Sequence, residues 1–392
     1  MNRQIPLYTA LLLAVASVCL TVVVTSVIFA GRFGMVARKA FAVERLLDKV
    51  YVDEVDKVKA SDAAAAAVIA STGDPWSYYI PAADYDAYLE STSNSYTGIG
   101  VVLEMREGDS SLYISSVTDG SPADVSGILP GDILLSLDGV SLSGLMPADV
   151  RNMIMNTNGS DFEFSIDRNG EILAVRVFCG TVAKDVAVYG FLEEGIGYIR
   201  ILNFEANCCR QTLDCISALL QDGAQGIVFD VRSNPGGKRT ELVEVLDYIL
   251  PEGVLFRSID YNGEEMISQS DENCLDLPMV VLVNKNSYSA AEFFAAALQE
   301  YGWADVVGEK TVGKGNYQIV YTLSDGSACG ISSGRYYTPH GNSLEGVGVT
   351  PNVEVTMDYG AIASVRDGVV FVGDDLQLSA AVDNLRQNLL QK

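Results

Sequence analysis

Pro278-Met279-Val280-Val281-Leu282-Val283-Asn284-Lys285-Asn286-Ser287-Tyr288-Ser289-Ala290-Ala291-Glu292 carries the chain from one type of structure into another. The run from Pro278 to Asn284 is apolar without alternation, which predicts a strand buried on both faces. Ala290–Tyr301 predicts a helix, and Ser289 stands in the turn that joins the two. Such a strand entering a helix is the building unit of an α/β layer fold.

Outward from that unit the same alternation recurs. Gly197–Leu202 and Gly226–Val231 read as buried strands with Cys209–Leu220 as the helix between them. Glu241–Leu250 reads as a further helix, and Asp305–Val307, Gln318–Leu323 and Val353–Thr356 as further strands. Upstream lies a different pattern. Short alternating strands are expected at Val101–Met105, Leu112–Val117, Ile133–Leu137, Phe162–Asp167 and Ile172–Val177, the last two forming a hairpin around Asn169-Gly170. A short helix is expected after Gly120-Ser121-Pro122-Ala123 and an amphipathic one over Pro147–Met155. Residues 34–72 predict helix up to Gly73-Asp74-Pro75, and Asp84–Leu89 one more short helix.

The formal net charge of −25 excludes a nucleic-acid surface, which must be basic to meet phosphates. From Leu7 to Ala30 there are 24 residues without a charge, between Arg3 and Arg32. As a helix that run covers about 36 Å, enough for a hydrocarbon core of about 30 Å. The expectation is an uncleaved single-pass anchor in the cell membrane with the body extracytoplasmic. The balance of positive charges around the span leans mildly the other way, but a first apolar segment ahead of a large domain works as an export signal. Seven cysteines, six of them beyond the apolar run, permit disulfides without requiring them. Without CxxC pairs or clustered histidines they do not read as metal ligands.

Three features bear on chemistry. Ser289 opens a helix at the carboxyl end of a buried strand, where free N–H groups face whatever its hydroxyl attacks. The plain alternative is an N-cap, with Ser289 and Glu292 as a capping box. Lys314 follows 25 residues later in Gly313-Lys314-Gly315. With His340 the single histidine of the chain, a desolvated lysine is the base left to activate a serine. Gln318, four residues on, is placed to orient that amine. Finally, the strand ending at Asp230 runs into Asn234-Pro235-Gly236-Gly237. This tight turn offers N–H groups for an oxyanion hole; Pro235 has none, so the donor is Gly236 or Gly237.

Three other strings fail on context. Gly308–Gly315 nearly matches a phosphate-binding loop, but Gly315 replaces the hydroxyl residue and a strand follows. Gly330-Ile331-Ser332-Ser333-Gly334 fits a nucleophile-elbow string but leads into no helix. His340 lies in a Pro-His-Gly loop and reads as a surface residue.

Taken in order, these strings resemble the carboxyl-terminal processing proteases, or tail-specific proteases, from about residue 40 onward. Gly73-Asp74-Pro75-Trp76-Ser77-Tyr78-Tyr79 is similar to the segment before that family's PDZ domain. Tyr96–Val101, Gly120–Ala123 and Gly127–Asp132 resemble the PDZ domain itself, and Tyr337–Pro339 and Gly346–Pro351 the C-terminal strands. The uncharged run gives an N-terminal transmembrane helix (1–33) and the helical pattern a region offering a dimerisation arm (34–94); the resemblance implies a PDZ domain (95–182), an α/β serine-protease core (183–358) and a C-terminal segment with a helix (359–392). It implies Ser289 as nucleophile, Lys314 as general base and Gln318 as the residue positioning the lysine. Oxyanion donors would come from Ala290 and from Gly236 or Gly237. Gly98, Ile99, Gly100 and Val101 would take the carboxylate of a substrate's C-terminus. No cofactor or metal is implied; the partners would be proteins or peptides with accessible C-termini, the membrane, and a second copy of the chain. One departure is Ile154-Met155-Asn156, where relatives carry Ile-Arg-Gly with an arginine linked to PDZ-controlled activation. The rival expectation is a catalytically silent PDZ adaptor; a weaker one is a hydrolase of small esters.

Overall fold

The computed structural model describes residues 8, 12–22, 34–106, 108, 110–155, 161–356, 364–366, 369–371 and 375–391. Of the expected membrane span, residues 12–22 are helical and exposed, and most of the remainder lies outside the described residues. Among the described residues no helix is long and apolar enough to cross a membrane. Asn156 and most of the expected C-terminal segment before residue 375 also lie outside them.

Two compact units divide the chain after Pro81. The first contains α1 (Met35–Val50), α2 (Lys57–Ala70) and the short strand β1 (Tyr78–Ile80). The expected continuous helix is thus interrupted at Tyr51, which is extended at φ −72°, ψ 143°. Val50-Tyr51-Val52 has poor helix propensity. Asp56 restarts the helix as an N-cap, accepting from the Val58 and Lys59 N–H groups at 3.1 Å each. Lys57 ties the two helices together through Asp48 at 3.0 Å.

The second unit opens with α3 (Ala82–Ser93) and β2 (Ser95–Gly98). A sheet then forms from β3 (Val101–Met105), β4 (Leu112–Val117), β5 (Ile133–Leu137), β7 (Phe162–Arg168) and β8 (Glu171–Val177), in that order, with β6 (Val140–Ser141) beside β5. Helices α4 (Pro122–Val125) and α5 (Pro147–Met155) complete this domain. Ile114, Phe164 and Ile166 are fully buried in its core. The β7–β8 hairpin turns at Asn169 and Gly170, both left-handed at φ 57° and 89°, as a two-residue Asn-Gly turn requires. Strand β9 (Gly180–Ala183) returns antiparallel to β2 and hands the chain to the core.

The core strands are β10 (Ala187–Glu193), β11 (Ile196–Ile201), β12 (Gly226–Asp230), β15 (Met279–Val283), β16 (Ala304–Gly308), β19 (Val353–Glu354), β20 (Ser364–Arg366) and β21 (Val369–Phe371). They form one sheet in the order β19-β16-β15-β12-β11-β10-β21-β20, parallel from β19 to β11. The apolar run at 279–283 is explained by helices on both faces. Val281 and Val283 pack with Phe229 toward α6 (Cys208–Gln221), α7 (Arg239–Ile249) and α8 (Ala290–Glu300). Val280 and Leu282 point the other way, into a cluster with Leu378, Ala381 and Leu385 of α9 (Leu376–Gln391). At about 25 cal/mol per Å² of apolar area removed from water, this two-sided burial is the main force holding the layer together. A second sheet joins β17 (Asn316–Thr322), β18 (Ala328–Tyr337), β13 (Gly253–Asp260) and β14 (Glu265–Ser270). The architecture is an α/β core with a separate small β-rich domain, as expected.

All seven cysteines are free thiols. Burial pushes Cys209 and Cys215 up to about 12, so neither is poised as a thiolate.

Candidate active site

Ser289 follows β15 and precedes α8 with φ 60° and ψ −122°, a conformation that costs a side-chain-bearing residue about 1–3 kcal/mol. Several interactions hold it there. Asn284, fully buried, accepts from the N–H groups of Asn286 at 3.0 Å and Ser233 at 2.9 Å. The Ser287 hydroxyl donates to the Val231 carbonyl at 2.8 Å, and the Tyr288 N–H to the Asn234 carbonyl at 3.2 Å. The serine turn is thereby stitched to the turn that follows β12.

That second turn supplies main-chain donors. Gly236 has φ +90°, and a Cβ there would lie 2.7 Å from the Ser289 Cβ and 2.8 Å from the Ala290 nitrogen. Only glycine allows this approach. The Gly236 N–H itself is occupied, donating to the Asn234 Oδ1 at 2.8 Å. Among the described residues the N–H groups of Gly237 and Ala290 have no hydrogen-bond partner. Of the two glycines expected as donors, Gly237 is the one left available. The Phe204 N–H donates to the Gly236 carbonyl and the Lys238 N–H to the Phe204 carbonyl, both at 2.7 Å, so Gly237 is pinned from either side.

Beneath this turn lies a buried ionic cluster that the sequence did not disclose. The Arg232 guanidinium meets Asp230 at 2.6 Å and Asp375 at 2.8 Å, and donates to Gln377 at 3.3 Å. The Tyr198 hydroxyl donates to the Asp230 Oδ2 at 2.7 Å. Burial pushes the Asp230 carboxyl up, but the Arg232 charge and its hydrogen bonds outweigh that and hold it below the usual carboxylate range.

Lys314 lies in the loop between β16 and β17, half-buried. Its Nζ sits 5.9 Å from the centroid of the Tyr288 ring, the residue beside Ser289. A Cβ on Gly315 would lie 2.6 Å from the Glu345 nitrogen, so that glycine lets the loop close against residues 344–348.

Glu292 joins the serine turn to the lysine loop. Its carboxylate is fully buried and takes four hydrogen bonds. Oε2 accepts from the Ser289 and Lys314 N–H groups at 2.9 Å each, and Oε1 from the Thr311 hydroxyl and the Gly313 N–H at 2.5 Å each. Burial pushes its pKa up, against those four bonds. The bond to Ser289 is half of the expected capping box; the three bonds to the loop are an addition the local sequence does not announce.

Gln318 is half-buried on β17, opposite Ser332. Its Nε2 donates to the Ser332 hydroxyl at 2.9 Å and to the Asn316 carbonyl at 3.2 Å. Ser332 lies mid-strand in β18, not in an elbow. His340 is 62% exposed, on the surface as expected. Among the described residues no group of three or more His, Cys, Asp or Glu side chains is placed to hold a metal ion.

Gly98, Ile99 and Gly100 are buried, and Val101 begins β3, the edge strand of the small domain's sheet. The Ile99 carbonyl accepts from the Ala123 N–H at 2.9 Å and the Gly100 carbonyl from the Thr118 N–H at 2.8 Å, which fixes the loop with its carbonyls turned into the domain.

The second unit thus combines a strained serine turn on an α/β core with a small β-rich domain whose sheet ends on β3, an arrangement compatible with a PDZ-containing serine peptidase. Residues 195–355 match the profile of peptidase family S41, and residues 89–164 that of the PDZ domain. The carboxy-terminal processing protease CtpA of Bacillus subtilis is 28% identical over 375 residues, 92% of this chain and 79% of that protein. The chloroplastic C-terminal processing peptidase of Tetradesmus obliquus is 29% identical over 307 residues, covering 74% and 66%. An S41-assigned structure from Bacteroides fragilis shares the fold, with a TM-score of 0.51 at 15% identity over 86% of this chain and 93% of that one. The chain thus carries a region similar to peptidase family S41 and a region similar to PDZ domains, and its curated relatives are serine-type carboxy-terminal processing proteases.

Proposed function

We propose that this chain is a membrane-anchored endopeptidase that binds the C-terminal tails of exported proteins through its PDZ domain and cleaves them with a Ser289–Lys314 pair. The observation that carries this reading is the shared attachment of the Ser289 and Lys314 main chains to Glu292 Oε2. Neutral Lys314 takes the Ser289 proton while Oγ adds to the scissile carbonyl. The oxyanion is met by the N–H groups of Gly237 and Ala290. Collapse of the intermediate expels the amine, which receives the proton from Lys314, and leaves an acyl-enzyme. Water, deprotonated by Lys314, then releases the new carboxylate and restores the serine. Gln318 steadies the lysine side of the site.

Gly98, Ile99, Gly100 and Val101 take the tail's carboxylate, and the tail adds as a strand to β3. The uncharged stretch from Leu7 to Ala30 supports a single-pass anchor in the cell membrane with the body outside the cytoplasm. Exposed Phe41, Leu46 and Val50 on α1 support self-association.

The test is a fluorophosphonate probe together with an unstructured protein substrate. The parent chain is expected to label at Ser289 and to cleave, Ser289→Ala to do neither, and Lys314→Ala to stay folded without turnover. Cleavage by Lys314→Ala at the parent rate would refute the mechanism. A parent chain that binds tails but neither labels nor cleaves would be the silent adaptor instead.

A further inference from the structure

Both polar groups of the Lys314 main chain are held by side chains rather than by a strand or helix. Its N–H donates to Glu292, from α8. Its carbonyl accepts from the Tyr336 hydroxyl, from β18. Tyr336 is 4% exposed, its ring 5.7 Å from that of Phe256 and 5.8 Å from that of Phe293. Its own N–H donates to the Gly315 carbonyl at 3.0 Å. The phenol therefore has a fixed position in a wall of aromatic rings, and Tyr336 reaches the lysine loop twice, once by its hydroxyl and once by its main-chain N–H.

We infer that Tyr336 is a positioning residue for the serine–lysine pair, its phenol and its main-chain N–H together holding the Lys314–Gly315 main chain. This rests on the proposed roles of Ser289 and Lys314 and adds a second anchor on the lysine loop to the one made by Glu292. Burial pushes the phenol's pKa well up, and the charges of Glu292 and Glu345 add to it. A phenol so placed stays protonated at neutral pH and keeps its donor for the Lys314 carbonyl. The anchor thus sets where the lysine side chain starts.

Tyr336→Phe keeps the ring packing and removes only the phenol's hydrogen bond to the Lys314 carbonyl. The expected result is a kcat lower by roughly tenfold to a hundredfold, the scale of a small misplacement of reacting groups, with KM little changed. Fluorophosphonate labelling should slow in parallel. The acid limb of the pH profile should move to higher pH, because a lysine released toward solvent regains its ordinary pKa. The other ionisable groups facing the lysine loop, Glu292, Glu345 and Tyr288, are unchanged in this variant. A merely structural loss would lower activity without moving the limb. Ring-fluorinated tyrosine at 336 serves if the Phe variant lacks a cooperative melt. It is a stronger donor and weaker acceptor of nearly the same volume, and should alter kcat by at least about twofold. Unchanged kcat and pH limb in either variant, with the parent active and Lys314→Ala dead, overturns the role of Tyr336 alone. A parent that neither labels nor cleaves overturns it together with the proposed function.

Discussion

The main chains of Ser289 and Lys314 meet at one atom: the N–H of each donates to Glu292 Oε2 at 2.9 Å. Two loops from opposite ends of α8 and β16 are thereby locked to a common origin. A carboxylate is suited to this because it only accepts, and here four donors converge on it.

Glu292→Gln removes that property while keeping the shape. The amide nitrogen must face N–H groups that have nowhere else to donate, and each buried unsatisfied group costs about 1–3 kcal/mol. Urea unfolding is expected to show a loss on that scale, and peptide cleavage to fall further than stability alone explains. The pH dependence gives a separate check. Burial raises the Glu292 pKa from its ordinary 4.5, so its contribution is present below that value and is lost as pH rises through the folded pKa. The Gln variant should lack this segment of the stability curve.

Gly236→Ala tests the proposed oxyanion role of the turn after β12. The added Cβ would sit 2.7 Å from the Ser289 Cβ at a backbone φ of +90°. The turn must move away from the serine, carrying the Gly237 N–H with it. A kcat/KM lower by about 10²–10³ is expected, the scale of losing one oxyanion donor. The strands of the core, anchored elsewhere, should still give a cooperative melt. Unchanged turnover in a folded variant would remove this turn from the mechanism.

The strands of the small domain were legible because an alternating pattern bounded by Asn-Gly or Pro-Gly turns is local information, and β3, β4 and β5 fall where the pattern places them. The unbroken run at 279–283 likewise reported helices on both faces of β15. The β13–β14 hairpin was not among the expected elements, although Asn262-Gly263 marks its turn; its Glu265–Ser270 strand is mostly exposed and has little apolar signal. Site geometry was legible where residue type and turn coincide: Ser289 stands in the strand-to-helix turn and the Gly236-Gly237 turn packs against it. Tyr336 and the loop partners of Glu292 were not, because their contacts join segments about 20 residues apart through tertiary packing. Asp375 is farther still, 143 positions from the Arg232 it pairs with.

Tail recognition gives a kinetic prediction. If the N–H groups of the Gly98–Val101 loop hold a terminal carboxylate, amidating a peptide substrate's C-terminus removes the charge without touching the scissile bond. A KM higher by about tenfold is expected, worth about 1.4 kcal/mol, with kcat less affected. Peptide titration with matched acid and amide forms checks this. Equal KM values would place tail recognition somewhere other than this loop.

Arg232→Met separates stability from chemistry beneath the proposed oxyanion turn. The guanidinium is fully buried between Asp230 and Asp375, and breaking a buried pair by removing one partner costs about 3–5 kcal/mol. In the parent, Asp230 is held below its ordinary 3.8. Its contribution is therefore present above that value and is lost as pH falls through the folded pKa. In the variant the sign reverses. Asp230 loses its hydrogen-bonded cation and keeps only the more distant charge of Arg200, burial then raises its pKa, and ionising it costs stability as pH rises. Urea midpoints measured from about pH 3 to about pH 7 should climb with pH in the parent relative to the variant, and the gap should be widest at the neutral end. Parallel curves would mean that the two carboxylates find another counter-charge, and that Arg232 does not hold the turn in place.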